Sequence, residues 1–255
     1  MTAQKISRLS VFTLAFAVSF ACLYGISHAQ EAAAPAPVPD EQTYLDEGIS
    51  ARDAGDLTQA EALLQKVLLI NPVNTDALTH LGWVYEAQKK YAAAEETFKK
   101  LAELKPGIID PLLGLASVYR ATNKPDEAEI MLTKAQQIAP ANDEIYAQLG
   151  WVYLNKKQAS KAEESFKKAL EINPASVSGS LGLGFVYLEL KAYEKAEPAF
   201  KQILSLQPGN AAALAGLGMT YKAANKTAEA KEYLQKALEL DPQNAQLQRE
   251  LDALK

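Results

Sequence analysis

Cysteine and histidine are nearly missing from these 255 residues: there is one cysteine, Cys22, and two histidines, His28 and His80. Beyond residue 29 only His80 remains. Nucleophilic triads need a nucleophile, a base and an orienting group, and a lone histidine gives such a site little to work with. A Cys/His metal site is equally short of ligands, and disulfides are out of reach. A basic surplus is also missing. The chain carries 26 Lys and Arg against 31 Asp and Glu, a net charge of −5, which becomes −7 once Lys5 and Arg8 are set aside with the first 29 residues. An acidic chain repels phosphate backbones, and no basic patch is interleaved with aromatics, which argues against nucleic acid as a partner. Gly182-Leu183-Gly184 opens like a dinucleotide loop but lacks the third glycine and a preceding strand. No catalytic residue, cofactor or metal is expected.

What the chain has in abundance is repetition. Leu149 to Tyr153 reads LGWVY, the same word stands at Leu81 to Tyr85, and related words stand at Leu115 (LASVY), Leu183 (LGFVY) and Leu217 (LGMTY), each 34 residues from the next. A fixed period of this length marks stacked structural repeats. Six units fit without insertion: 41–74, 75–108, 109–142, 143–176, 177–210 and 211–244. Repeat position 8 is small (Gly48, Gly82, Ala116, Gly150, Gly184, Gly218). Position 20 is always alanine, from Ala60 to Ala230, and position 32 is always proline, from Pro72 to Pro242.

Within a unit, Tyr146, Leu149 and Tyr153 recur at helical spacing, as do Ala162, Phe166, Ala169 and Leu170, so each unit reads as two helices. Small residues at positions 8 and 20 let the pair approach closely, proline at position 32 stops the second helix, and Asn74, Asn142, Ser176, Asn210 and Asn244 stand where the next helix needs an N-cap. A lone helix pair cannot bury its apolar faces, so neighbours must stack. This pattern resembles the tetratricopeptide repeat over about four-fifths of the chain. The resemblance implies an all-α, right-handed α-solenoid of six helix-turn-helix units. Residues 245–255, with Leu247, Leu251 and Leu254 in a polar background, are expected to form a C-terminal cap helix. Glu47 and Ala51, where the other units have leucine and tyrosine, fit an atypical first repeat. Pro198, inside a second helix, has no functional account and implies a local kink.

The first 29 residues differ in kind. Lys5 and Arg8 precede an apolar stretch from Val11 to Ile26, and Ser27-His28-Ala29 offers small residues at the positions a signal peptidase reads. This is the pattern of an export signal, placing the mature start at Gln30 in the periplasm or cell envelope. An uncleaved anchor is one alternative, although sixteen helical residues reach only ~24 Å across a ~30 Å hydrocarbon core. Acylation at Cys22, in a faint lipoprotein box (Ser19-Phe20-Ala21-Cys22), is another. Residues 30–40, rich in alanine and proline, are expected to act as a flexible spacer.

The resemblance further implies a concave groove lined by the first helices, chiefly by positions 2, 5, 9, 12 and 13. Position 9 is apolar almost throughout (Ile49, Trp83, Trp151, Phe185 and Met219, with Ser117 between) and holds both tryptophans. Position 2 sets Asp76, Asp110 and Glu144 beside it. These residues are the candidate binding groove for a protein or extended peptide with apolar and basic side chains. The other reading of position 9 is that it packs on the adjacent helix and thickens the core. The tail clamp of chaperone-binding members, Lys and Asn at positions 5 and 9 of one unit, is replaced here by Leu45 and Ile49, or Thr79 and Trp83. The expected role is a non-enzymatic envelope scaffold, in the assembly of an envelope or secretion complex. A self-stacking structural subunit and a cell-wall glycan-binding module are the rivals. Intact mass analysis of the native protein should show a chain beginning at Gln30; an intact Met1 or a lipidated Cys22 would overturn the export reading.

Overall fold

Each unit contains two runs of helix-forming residues parted by a short turn. In the computed structural model, which describes residues 40–254, each run is one α-helix. The first helices are α1 (Glu41–Asp53), α3 (Thr75–Ala87), α5 (Asp110–Ala121), α7 (Asp143–Asn155), α9 (Val177–Glu189) and α11 (Ala211–Ala223). The second helices are α2 (Leu57–Ile70), α4 (Tyr91–Leu104), α6 (Pro125–Ile138), α8 (Ala159–Ile172), α10 (Tyr193–Leu206) and α12 (Thr227–Leu240). A thirteenth helix, α13 (Ala245–Asp252), follows, and no strand occurs among the described residues. The expected leader, the fate of Cys22 and the spacer up to Pro39 lie outside the described residues. None of the described helices is long and apolar enough to cross a membrane.

Helix starts and turns follow local chemistry. Asn74, Asn142, Asn210 and Asn244 each accept the backbone N–H of the residue three further on, and Ser176 does the same for Gly179; a cap of this kind contributes roughly 1 kcal/mol. Before α5 the preceding Ile109 has no capping side chain, and Pro111 sits in the first turn instead, where its missing N–H costs nothing. Position 15 of every unit is left-handed: Gly55, Lys89, Asn123, Lys157, Lys191 and Asn225 have φ between 57° and 83°. That residue ends the first helix, and the following N–H reaches back to the position-11 carbonyl, as from Lys90 to Tyr85 and from Gln158 to Tyr153. Glycine and asparagine take this conformation readily, whereas lysine at three of the six sites costs about 1 kcal/mol.

The core is organised by the second-helix residue at position 24. Phe98, Phe166 and Phe200 are fully buried. Each ring lies between two glycines: Gly82 and Gly114 around Phe98, Gly150 and Gly182 around Phe166, Gly184 and Gly216 around Phe200. One glycine is position 8 of the ring's own unit and the other is position 6 of the next. Where position 24 is the smaller Leu64 or Leu132, position 6 of the next unit is instead His80 or Gln148. Position 11 adds a polar tie across the same seam. The hydroxyls of Tyr119, Tyr153, Tyr187 and Tyr221 donate to Glu95, Glu129, Glu163 and Glu197 of the preceding second helix at 3.3, 2.9, 3.3 and 3.0 Å. Tyr153, read from the sequence as a core-face residue beside Leu149, is only half-buried, because its hydroxyl stays at this polar seam.

Both ends are closed. Positions 3, 7 and 10 pack on the preceding unit and are buried in units 2 to 6; in the first unit they are the exposed Thr43, Glu47 and Ser50. At the other end Leu247, Leu251 and Leu254 occupy these same three positions of a truncated seventh unit and cover α12. Pro198 lies within α10 and removes one helix hydrogen bond; nothing in the packing explains it.

A methyl group at Gly182 would overlap the Phe166 ring. Gly182→Ala should therefore cost roughly 1–3 kcal/mol of stability by overpacking, measured by chemical denaturation, and Phe166→Leu should reduce that penalty.

Candidate functional site

First helices pack on each other as well as on second helices, whereas second helices make no comparable contact with one another. The side on which helices crowd is the inner side of a curved array, so α1, α3, α5, α7, α9 and α11 line the groove. Of the position-9 residues, Ile49, Trp83, Trp151, Phe185 and Met219 are all half-buried, and Ser117 is buried and donates to Glu86 at 3.0 Å. The row is thus partly packed on the core and partly exposed. On one side the aromatics contact the core rings edge to face: Trp83 with Phe98 at 5.1 Å, Trp151 with Phe166 at 5.3 Å and Phe185 with Phe200 at 5.2 Å between centroids. On the other, Trp151 and Phe185, 5.9 Å apart, line an open cleft of about 380 Å³ together with Leu154, Asn155, Leu188 and Glu189. The Trp151 indole N–H donates to Ser178 at 3.2 Å, which fixes the ring at the cleft's edge.

Leu154 and Leu188 were not singled out from the sequence. They stand at position 12, where the other units carry Arg52, Glu86, Arg120 and Lys222, and this switch from charged to apolar was the available signal. The structure brings Trp151 and Phe185 into one surface. It does not bring Ile49 or Met219 to that cleft; they belong to clusters at the two ends of the array. Trp83 packs against the core of units 2 and 3.

Asp76, Asp110 and Glu144 are exposed on α3, α5 and α7. Burial pushes the Glu144 carboxyl above its ordinary pKa although the side chain is open to solvent; the groove walls desolvate it, and Gln148 offsets this in part by donating at 3.2 Å. On the second helices the situation is reversed. Hydrogen bonds from Lys90, Lys99, Lys156, Lys167 and Lys201 hold Glu61, Glu95, Glu129, Glu163 and Glu197 below the ordinary range. His80 is half-buried on α3 against the Arg52 guanidinium; burial first, then the Arg52 charge, keep its pKa below the usual imidazole value. Among the described residues no group of His, Cys, Asp and Glu is placed to hold a metal. In a carboxyl titration followed by NMR, Glu144 should protonate at higher pH than Glu95, Glu129, Glu163 and Glu197. As pH falls, Glu144 would then lose its charge before the outer ion pairs open.

In sequence, residues 112–241 match the family profile described as the Cilia and flagella-associated protein 70 middle TPR-like domain, and residues 45–107 match that of the tetratricopeptide repeat. No curated protein matches the chain. Among solved structures, a chain of the APC/C hetero-tetramer Cut9-Hcn1 superposes with a TM-score of 0.77 at 20% identity, covering 84% of this chain and 43% of that one. PilF of Pseudomonas aeruginosa gives 0.65 at 23% identity over 84% of this chain and 97% of its own. Yeast Tom70 gives 0.65 at 20% identity over 85% and 47%. This chain thus spans less than half of the Cut9-Hcn1 and Tom70 chains, and likeness at such identities is likeness of fold. With the 34-residue period, the stacked helix pairs and the profile matches in agreement, the chain belongs to the tetratricopeptide repeat family.

Proposed function

We propose that the protein is a non-enzymatic scaffold that captures a segment of another protein, or an extended peptide, in the groove of its first helices. The observation that carries this reading is the open apolar surface of Trp151, Phe185, Leu154 and Leu188, which no part of the described chain covers. Trp83, Ile49 and Met219 extend the apolar row along the groove, and Asp76, Asp110 and Glu144 give it negative charge suited to Lys or Arg side chains. A family whose members generally bind proteins without catalysing reactions supports the same reading. The expected setting is the cell envelope, on the strength of Lys5, Arg8, the apolar Val11–Ile26 stretch and the Ser27-His28-Ala29 site. There the scaffold would serve assembly of an envelope or secretion complex. The polar first unit and the α13 cap weigh against open end-to-end stacking of copies.

The tryptophans contact core rings, so Trp83→Ala with Trp151→Ala should lower the melting temperature as well as binding. Leu154→Ser with Leu188→Ser is the cleaner probe. That pair should keep full helicity by circular dichroism and lose partner capture from envelope extracts by roughly tenfold or more. Normal capture by the folded leucine variant would move the search to the convex face. Capture that survives protease treatment of the extract would favour a glycan.

A further inference from the structure

The groove changes character along its length. In units 2, 3 and 4, position 2 carries Asp76, Asp110 and Glu144, all exposed and none engaged in an ion pair among the described residues. The outer carboxylates Glu61, Glu95, Glu129, Glu163 and Glu197, by contrast, each hold a lysine at 2.6–2.7 Å. Nearby cations do not neutralise the inner row. Arg52 is tied to Asp53 and His80, and Arg120 acts on Glu144 only through space. In units 4 and 5 position 12 turns apolar, with Leu154 and Leu188 beside the cleft of Trp151 and Phe185, and in units 5 and 6 position 2 is the uncharged Ser178 and Ala212.

Spacing turns this division into a register. Packed helices lie about 8–10 Å apart, so successive position-2 carboxylates are separated by about that distance. A chain in the polyproline II conformation advances about 3.1 Å per residue with three residues per turn, so every third side chain returns to one face about 9.3 Å further on and matches the step. Trp151 lies seven residues beyond Glu144 on α7, about 10.5 Å along that helix and so across the line of the carboxylates; a ligand that turns at Glu144 covers this step with roughly three more residues. We propose that the groove selects a segment in polyproline II conformation with Lys or Arg at every third position, one for each of Asp76, Asp110 and Glu144, which turns at Glu144 and places a large apolar side chain about three residues later between Trp151 and Phe185. This rests on the groove-binding reading above and specifies its ligand.

The test uses the purified full chain and labelled synthetic peptides of about twelve residues, terminally blocked, read by fluorescence anisotropy. One set carries three arginines at every third position and a leucine three residues beyond, in both chain directions. A second set has the same composition with the arginines contiguous, and a third replaces the leucine by serine. In one direction the spaced peptide should bind roughly tenfold tighter than the contiguous one, the sum of three modest surface pairs, and that preference should shrink with salt. Asp110→Asn with Glu144→Gln should abolish the preference. Leu154→Ser with Leu188→Ser should erase the difference between leucine and serine peptides and leave the spacing preference in place. Equal binding of spaced and contiguous peptides, both still weakened by the leucine variant, would overturn the register and leave the groove reading standing. A spacing preference that persists in Asp110→Asn with Glu144→Gln would also overturn it. No binding by any peptide, with partner capture indifferent to groove variants, would overturn both.

Discussion

The array depends on one close approach: a second-helix side chain at position 24 wedged between two first helices. A phenyl ring there needs bare backbone on both sides, which is why Phe98, Phe166 and Phe200 each face a pair of glycines from consecutive units. Glycine inside a helix costs roughly 0.5–1 kcal/mol relative to alanine. Burying a whole phenylalanine contributes about 1.5–3 kcal/mol, so a ring seated on two such sites offsets the backbone cost. The same wedge sets the groove. The position-9 residue beside each glycine is carried onto the ring, and Trp83, Trp151 and Phe185 meet it edge to face. Aromatic position 9, phenylalanine 24 and glycine 6 of the next unit therefore go together, in units 2, 4 and 5 only.

Around this apolar seam runs a polar one. The tyrosine at position 11 donates to the glutamate of the preceding second helix, and a lysine closes the outer side of that carboxylate. Exposed ion pairs are worth little singly, yet these recur at each joint and direct lysines to the convex side. The concave carboxylates are left without such partners. Ala51 takes tyrosine's place in unit 1, where no preceding helix among the described residues offers a glutamate.

Much of this was legible in the sequence. The 34-residue period, the proline at position 32 and the asparagine caps were enough to expect paired helices stacked into a solenoid. The pairing of position 24 with position 6 across units was harder to read, since it appears only once each ring is known to touch two helices. Position 15 was also hidden, because Lys89, Lys157 and Lys191 give no hint of left-handed backbone. At the candidate site, residue type alone could not separate Glu144 from Glu129. One is desolvated in a groove and the other is bonded to a lysine and a tyrosine; that contrast belongs to the packing. Leu154 and Leu188 were visible in the alignment of units, but their meaning required the open cleft beside them.

The wedge is not repeated everywhere. Phenylalanine rings lock unit 2 to unit 3, and units 4, 5 and 6 to one another, whereas Leu64 fills the joint between units 1 and 2 and Leu132 that between units 3 and 4. In the latter joint Lys156, just past the C-terminus of α7, bridges Asp126 and Glu129 of α6 at 2.7 and 2.6 Å, so an ionic contact accompanies the apolar packing. In a stack whose rigidity is a sum of neighbour interfaces, compliance gathers at the joint with the least buried area. Ring packing is thus continuous within units 2–3 and within units 4–6, and is interrupted at the leucine joints beside them. The joint between units 3 and 4 falls between Asp110 and Glu144 of the groove's acidic row, so any bending there changes the spacing of two carboxylates while the buried cluster of Leu132, Ile145, Leu149 and Val152 keeps the units together.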